Sequence, residues 1–189
     1  SVYGPGADLH EDVVDPARYV FSEPVDYAES KRRAEAVFAR SAAFPVTSVR
    51  FPIVLAEDDP SERLKFHVDR VRDGRAIFFP NLKARLSLVH AEDAAGFLDS
   101  LAHHPIDGPV NFCSPQPLVL KEFVERIESR VGKPAVLARA AQDGEESPLG
   151  VDADWYMNID KAKSHGCHAR PIEDWLPDLI ETFANKRIS

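Results

Sequence analysis

An α/β fold with parallel strand pairing is what this 189-residue sequence predicts, and three observations predict it. Short runs of β-branched and apolar residues alternate with longer segments of helical periodicity from about residue 25 onward. Gly and Pro punctuate most of the changes, and no internal repeat or low-complexity block interrupts them. With 44% hydrophobic and 29% charged residues, the composition is that of a globular chain rather than a disordered one.

The opening SVYGPG and the polar run through His10-Glu11-Asp12 to Ser22-Glu23-Pro24 read as loop. A helix is predicted from about Val25 to Ala43, with alanines, Val37 and Phe38 at helical spacing for packing on a sheet; Phe44-Pro45 stops it. VTSVRF (46–51) reads as a buried strand because β-branched residues recur between turn signals, and Pro52 sits where it ends. Leu64, Val68 and Val71 mark a second helix from Ser61 to Gly74, with Ser61 as the expected cap and Glu62 in its first turn. AIFFP (76–80) and LSLVH (86–90) read as short strands around the polar, basic turn Asn81–Arg85. AEDAAGFLDSLAHH (91–104) is a helix with acidic residues in its first turn, and PVNFC (109–113) a further strand. Leu120 to Val131 is an amphipathic helix ended by Gly132. AVLAR (135–139) and WYMNI (155–159) read as strands, 141–150 as a loop, Asp160 to His165 as a short helix, and Ile172 to Lys186 as a terminal one. Trp155 and Trp175 read as packing residues because aromatic rings contribute large buried area.

The net charge of −8 argues against a general nucleic-acid surface, which needs a concentrated basic stripe, and the single basic run Lys31-Arg32-Arg33 reads as a solvated helix face. No apolar run approaches the roughly 20 residues that span a bilayer. Cys113 and Cys167 are too few for a disulfide framework, so a reducing cytoplasm is expected. His165-Gly166-Cys167-His168 lacks the second ligand pair of a structural metal site, and no metal is assigned.

The chemistry-bearing feature is DYAESKRRAE, in which Tyr27 and Lys31 stand four apart on one helix face. A phenol beside an ammonium forms a proton-transfer pair, the cation supporting negative charge on the oxygen. Around the pair the order is SVYGPG, a Pro24-bounded loop, the Tyr27 helix, then VTSVRFPIVL. This order resembles the extended short-chain dehydrogenase/reductase family, also called the NAD-dependent epimerase/dehydratase family. The middle section of that family runs Ser-x-x-Val-Tyr-Gly, Tyr-x-x-x-Lys, then strand-Arg-x-x.

The resemblance implies the later part of a doubly wound Rossmann-type parallel sheet plus a smaller C-terminal substrate-binding portion. Residues 1–57 and 86–114 would belong to the Rossmann core, and 58–85 and 115–189 mostly to the portion covering the substrate. It implies NAD or NADP as cofactor and catalytic roles for Tyr27, which moves a proton at the substrate oxygen, and Lys31, which holds the nicotinamide ribose. Arg50-Phe51-Pro52-Ile53 resembles the post-strand loop whose backbone contacts the cofactor carboxamide, with Phe51, Pro52 and Ile53 as the cofactor-side residues. Tyr3, His67 and Arg85 are the substrate-side candidates, with Arg75 and Phe79 as further wall residues. The segment Leu88-Val89-His90-Ala91-Glu92-Asp93 resembles the family's His-Val-x-Asp stretch, with Asp93 stabilising a helix start and His90 packing or capping. Where the sugar-nucleotide branch carries asparagine and a second Tyr-Gly-Pro, this chain has Ile53 and Leu55-Ala56-Glu57, so a smaller or less polar carbonyl compound is favoured over a nucleotide sugar.

Ser1 opens the chain and Met157 is its only methionine. The glycine-rich phosphate turn, the first strands and the family's active serine are expected upstream of Ser1, and the sheet is expected to need that segment for stability. Two functions stand at this point. One is an NAD(P)-dependent oxidoreductase or epimerase/dehydratase-like enzyme acting on a hydroxyl or carbonyl compound such as a sugar derivative, with the isolated chain inactive. The other is a non-catalytic dinucleotide- or ligand-binding regulatory module of the same fold. The resemblance further implies a homodimer through the Tyr27 helix, a small-molecule substrate, and neither nucleic acid nor membrane as partner.

Overall fold

The computed structural model describes residues 2–185. Its first strand, β1 (Gly6–Leu9), lies inside the stretch that reads as loop, followed by a 3-10 turn at Glu11–Val14. Nothing in GADL has strand character. The segment is recruited by pairing parallel to a strand about 150 residues away, β10 (Trp155–Met157), with Leu9 opposite Met157. Helix α1 (Tyr27–Ser41) follows, capped by Asp26, whose carboxylate accepts from the Glu29 backbone N–H at 2.7 Å. Its buried positions are Glu29 and Ala36, whereas Val37 and Phe38, expected to face a sheet, are 52% and 55% exposed.

Pro52 does end a strand, but a second one starts at once. β2 (Thr47–Arg50) pairs parallel with β7 (Gly108–Asn111), and β3 (Ile53–Leu55) pairs parallel with β6 (Leu88–His90). Proline has no N–H for the ladder, so the chain changes partners there. The partner strands β6 and β7 are joined by α3 (Ala91–His103), a crossover helix that fits the expected parallel α/β pattern. LSLVH likewise splits at Ser87: Leu86 belongs to β5 (Arg85–Leu86), which pairs with β10, and Leu88 opens β6. Among the described residues one pair is antiparallel, β5 with β8 (Leu118–Val119), and β4 (Ala76–Ile77) lies parallel to β9 (Val136–Leu137).

The second helix, α2 (Arg63–Asp73), is not capped by Ser61 as its sequence predicts. Ser61 bonds Asp59 instead, and Glu62 occupies the cap position in the left-handed region at φ 50° without a side-chain bond. Gly74 ends the helix at φ 68°, a conformation that suits glycine because it lacks a Cβ. α4 (Leu120–Val131) turns Leu120, Phe123, Val124 and Ile127 inward at helical spacing and ends at Gly132, as read. After α5 (Asp160–Ser164), the terminal segment is a 3-10 turn at Ile172–Asp174 followed by α6 (Leu176–Asn185); Lys186, its expected last residue, lies outside the described residues.

Among the described residues two apolar cores result. The larger joins α2, α4 and α6 through Leu64, Val68, Phe123, Ile127, Leu176 and Ile180, each burial worth roughly 1.5–3 kcal/mol. The smaller sits over β2 and β7, where Phe97 and Phe112 stack with ring centres 4.0 Å apart and Phe51 meets both rings edge-on at 6.3 Å. Trp175 is buried in the first core and donates to Ser114 Oγ at 3.1 Å, whereas Trp155 is only partly buried and touches both cores.

Candidate active site

Tyr27 is the first residue of α1, and the loop before it is tied down by Glu29. That carboxylate, only 2% exposed, accepts from Ser22 N at 2.9 Å, Ser22 Oγ at 3.0 Å, Arg33 Nε at 2.9 Å and the Tyr19 hydroxyl. The Tyr19 hydrogen bond, helped by those from Ser22 and Arg33, holds the Glu29 carboxyl down to about 2. The helix start is thereby fixed while Tyr27 points outward, 69% exposed, and Lys31 Nζ lies 5.3 Å from the centre of its ring. Neither the Tyr27 hydroxyl nor the Lys31 ammonium has a hydrogen-bond or carboxylate partner among the described residues.

Tyr27 borders a cleft of about 650 Å³. Phe51, Pro52 and Ile53 form one wall with it; Leu86, Ser87, Trp155 and Met157 form another; Asp58, Asp59, Pro60 and Arg63 close the lip. A neighbouring hollow of about 380 Å³ shares Tyr27 and Phe51 and adds Lys31, Phe38 and Arg50. The pair expected from spacing and the loop expected from resemblance therefore meet at one place. Because β2 and β3 run on either side of Pro52, the 51–53 backbone is presented at the point where the strands part.

The three substrate-side candidates do not meet there. Tyr3 is 2% exposed; its hydroxyl donates to Asn111 Oδ1 at 2.8 Å and accepts from Arg50 Nη1 at 2.7 Å, and burial pushes the phenol up. His67 has no exposed surface. Its Nε2 meets Ser147 Oγ at 2.7 Å, its Nδ1 meets the Arg63 carbonyl at 2.7 Å, and burial lowers the ring to about 4, so it is a neutral core residue among Phe66, Phe79 and Phe123. Hydrophobic spacing on α2 places position 67 on the inner face, which is why it turns away from ligand. Arg85 is held by Asp154 through Nη2 at 2.6 Å and Nε at 3.0 Å, stacks 4.6 Å over Tyr156, and is absent from the cleft wall. Of the further wall candidates, Phe79 is buried beside His67 and Arg75 pairs with Asp73 at 3.1 Å.

His90 is the α3 cap, accepting from the Glu92 N–H at 3.2 Å, and Asp93 at the start of that helix accepts from Arg170 Nε at 2.9 Å. Burial pushes the Cys113 thiol up to about 11. Among the described residues, no three His, Cys, Asp or Glu side chains converge as metal ligands, and no helix is long and apolar enough to cross a membrane.

Sequence reasoning missed Leu86, Ser87, Trp155 and Met157 in the cleft, and Asp58, Asp59 and Arg63 at its lip. The first four reach the site only through the parallel pairing of β10 with β5, for which local sequence carries no signal. The lip has a local signal that was not read: EDDP (57–60) follows the strand-like PIVL (52–55) after Ala56 alone.

Solved structures place this architecture. The chain is similar to a UDP-glucose 4-epimerase of Thermus thermophilus complexed with NAD, at a TM-score of 0.64 and 14% identity over 85% of this chain and 54% of that one. It is similar to RMD of Pseudomonas aeruginosa complexed with NADPH, at 0.69 and 14% over 98% and 64%. A dTDP-glucose 4,6-dehydratase of Bacillus anthracis complexed with NAD gives 0.64 and 15% over 89% and 56%. The fold is thus the Rossmann-type fold of NAD-dependent epimerases and dehydratases, as expected, and the chain spans 50–64% of the length of the structures it matches. No protein-family profile and no curated protein sequence matches it.

Proposed function

We propose that this chain is the catalytic-helix and substrate-facing part of an NAD(P)-dependent oxidoreductase of the epimerase/dehydratase type, a member of the extended short-chain dehydrogenase/reductase family. The observation that carries this reading is the position of Tyr27. It stands at the mouth of the 650 Å³ cleft with Lys31 against its ring, and both polar ends lack a protein partner among the described residues.

The residues fit a nicotinamide nucleotide. Lys31 has an ammonium free to bond a ribose, and Phe51-Pro52-Ile53 offers backbone at the edge of the same space. Bound there, NAD or NADP would accept or supply the hydride. Tyr27 would donate or accept the proton at the substrate oxygen, Lys31 would support charge on the phenol, and Trp155, Leu86 and Met157 would exclude water from the substrate.

In this reading the Rossmann core comprises about 1–57 and 86–114, and the substrate cover about 58–85 and 115–189. The two apolar cores follow that division in part: the smaller is drawn mainly from 1–57 and 86–114 but takes in Met157, Ile159, Ala162 and Ala169, while Leu55, Leu86 and Leu88 pack in the larger. The exposed Val37 and Phe38 of α1 support burial against further polypeptide in the whole protein, both an upstream segment and a second copy in a homodimer.

The test is fluorescence titration of NADH and NADPH against the protein extended upstream of Ser1; binding of neither removes the oxidoreductase reading. If one binds, Tyr27→Phe is expected to lower turnover by about 10²–10⁴-fold with cofactor affinity nearly unchanged. Turnover at the parent rate would refute the proton-transfer role.

A further inference from the structure

The charges around the cleft determine what it admits. Resting on the function proposed above, we infer that its substrate is an uncharged or amine-bearing hydroxyl or carbonyl compound with an apolar body, and that the Asp58 side of the cleft, away from Lys31, discriminates against phosphate- and carboxylate-bearing substrates, with Asp58 the residue that sets this preference.

Four observations lead there. The inner wall is apolar: Ile53, Val54, Leu86, Trp155 and Met157 surround the space, with few polar groups to orient a sugar. The lip carries two carboxylates, Asp58 and Asp59, against one cation, Arg63. Asp58 is exposed, has no ion-pair or hydrogen-bond partner among the described residues, and borders the cleft as well as two smaller hollows. One of those hollows is itself acidic, with Glu92, Asp174 and Asp178 in its wall.

Lys31, in the hollow beyond Tyr27, is left for the cofactor ribose, and the other cations around the cleft among the described residues are already engaged. Arg63 lies 3.8 Å from Asp59 and donates to Ser61 Oγ. Arg85, next to the lining residue Leu86, is bound by Asp154 at 2.6 Å. Arg170, in the adjoining hollow, is bound by Asp93 at 2.9 Å and Glu92 at 3.0 Å. Lys65, at the outer edge, lies 3.2 Å from Glu62 and 3.5 Å from Asp69. An anion entering here meets an unpaired carboxylate without displacing any of these pairs, whereas a guanidinium left free would have gripped it in bidentate fashion.

The experiment uses one skeleton in three charge states: 2-acetonaphthone, 2-naphthoate and 2-naphthylmethylamine, with UDP-glucose as the dianionic nucleotide sugar. Binding to the 189-residue chain is read from the indole N–H resonance of Trp155, assigned by its loss in Trp155→Phe. The ketone and the amine are expected to shift that resonance saturably. The carboxylate should bind at least threefold more weakly than the ketone, and UDP-glucose at least tenfold more weakly, with the gap shrinking in high salt. Asp58→Asn should bring the amine and carboxylate affinities at least twofold closer while leaving the ketone unchanged. Equal or tighter binding of the carboxylate or of UDP-glucose, an unchanged gap in Asp58→Asn, or no shift of Trp155 by any probe would each overturn the inference. Because no cofactor takes part, a failure here is separate from a failure to bind NADH or NADPH.

Discussion

Replacing Arg50 by methionine should destabilise this chain more than almost any other single change near the site. The guanidinium is 3% exposed and donates to the Glu35 carboxylate from Nη2 at 2.6 Å and from Nε at 3.1 Å. It also donates to the Tyr3 hydroxyl at 2.7 Å, the Glu11 carbonyl at 2.8 Å and the Val14 carbonyl at 2.7 Å. One side chain thus fastens the loop after β1 and the middle of α1 to the last residue of β2, directly before the cleft wall at Phe51. Methionine matches the length and satisfies none of these acceptors. Glu35, whose side chain is only 13% exposed, would be left as an unpaired carboxylate, and breaking such a pair costs about 3–5 kcal/mol. Urea unfolding at pH 7 measures it. The double variant Arg50→Met/Glu35→Leu removes the stranded charge and should recover about 1–3 kcal/mol of the loss. A single-variant cost below about 1 kcal/mol, or a double variant no more stable than the single one, would refute the reasoning.

Acid should act through His67. Its folded pKa, about 4, lies below the ordinary 6.5, so the neutral ring's contribution is complete above about pH 6.5 and is lost as pH falls through 4. The loss reaches roughly 3 kcal/mol near pH 4, and His67→Gln, which does not titrate, should show a correspondingly flatter stability profile between pH 6.5 and 4. Glu29 behaves as a depressed carboxyl: its contribution is present above about pH 4.5 and is lost as pH falls toward 2, so Glu29→Gln should be less stable at pH 7 yet lose less on acidification, as followed by circular dichroism. Gly132→Ala meets no atom within 4 Å but sits at φ 73°, so backbone strain alone should cost about 1 kcal/mol in urea unfolding. Gly96→Ala, equally unobstructed in the middle of α3, should stabilise by about 0.5–1 kcal/mol.

Much of the secondary structure and part of the candidate cleft wall were legible in the residues alone. Leu120 to Val131 followed by Gly132 makes a helix wherever it is placed, because spacing and stop signal are local, and α4 has those bounds. Tyr27, Lys31 and the Phe51-Pro52-Ile53 turn are likewise local patterns, each carried by one helix or one proline, and they border two adjoining hollows. What local pattern does not encode is which distant strand a short segment joins. GADL became β1 only through β10, LSLVH was divided between two partners, and β10 brought Trp155 and Met157 into the cleft. The same limit explains Tyr3, His67 and Arg85. Each is polar and falls in a suggestive segment, but Asn111, Ser147 and Asp154, contributed from 108, 80 and 69 residues away, engage them, the first two in the interior and the third at the surface. Residue order determined that a Tyr/Lys helix precedes a Pro-interrupted strand in an α/β chain. Tertiary pairing decided what faces that tyrosine, because the energy that places a side chain in a wall or a core comes from long-range burial and hydrogen bonding rather than from its neighbours in sequence.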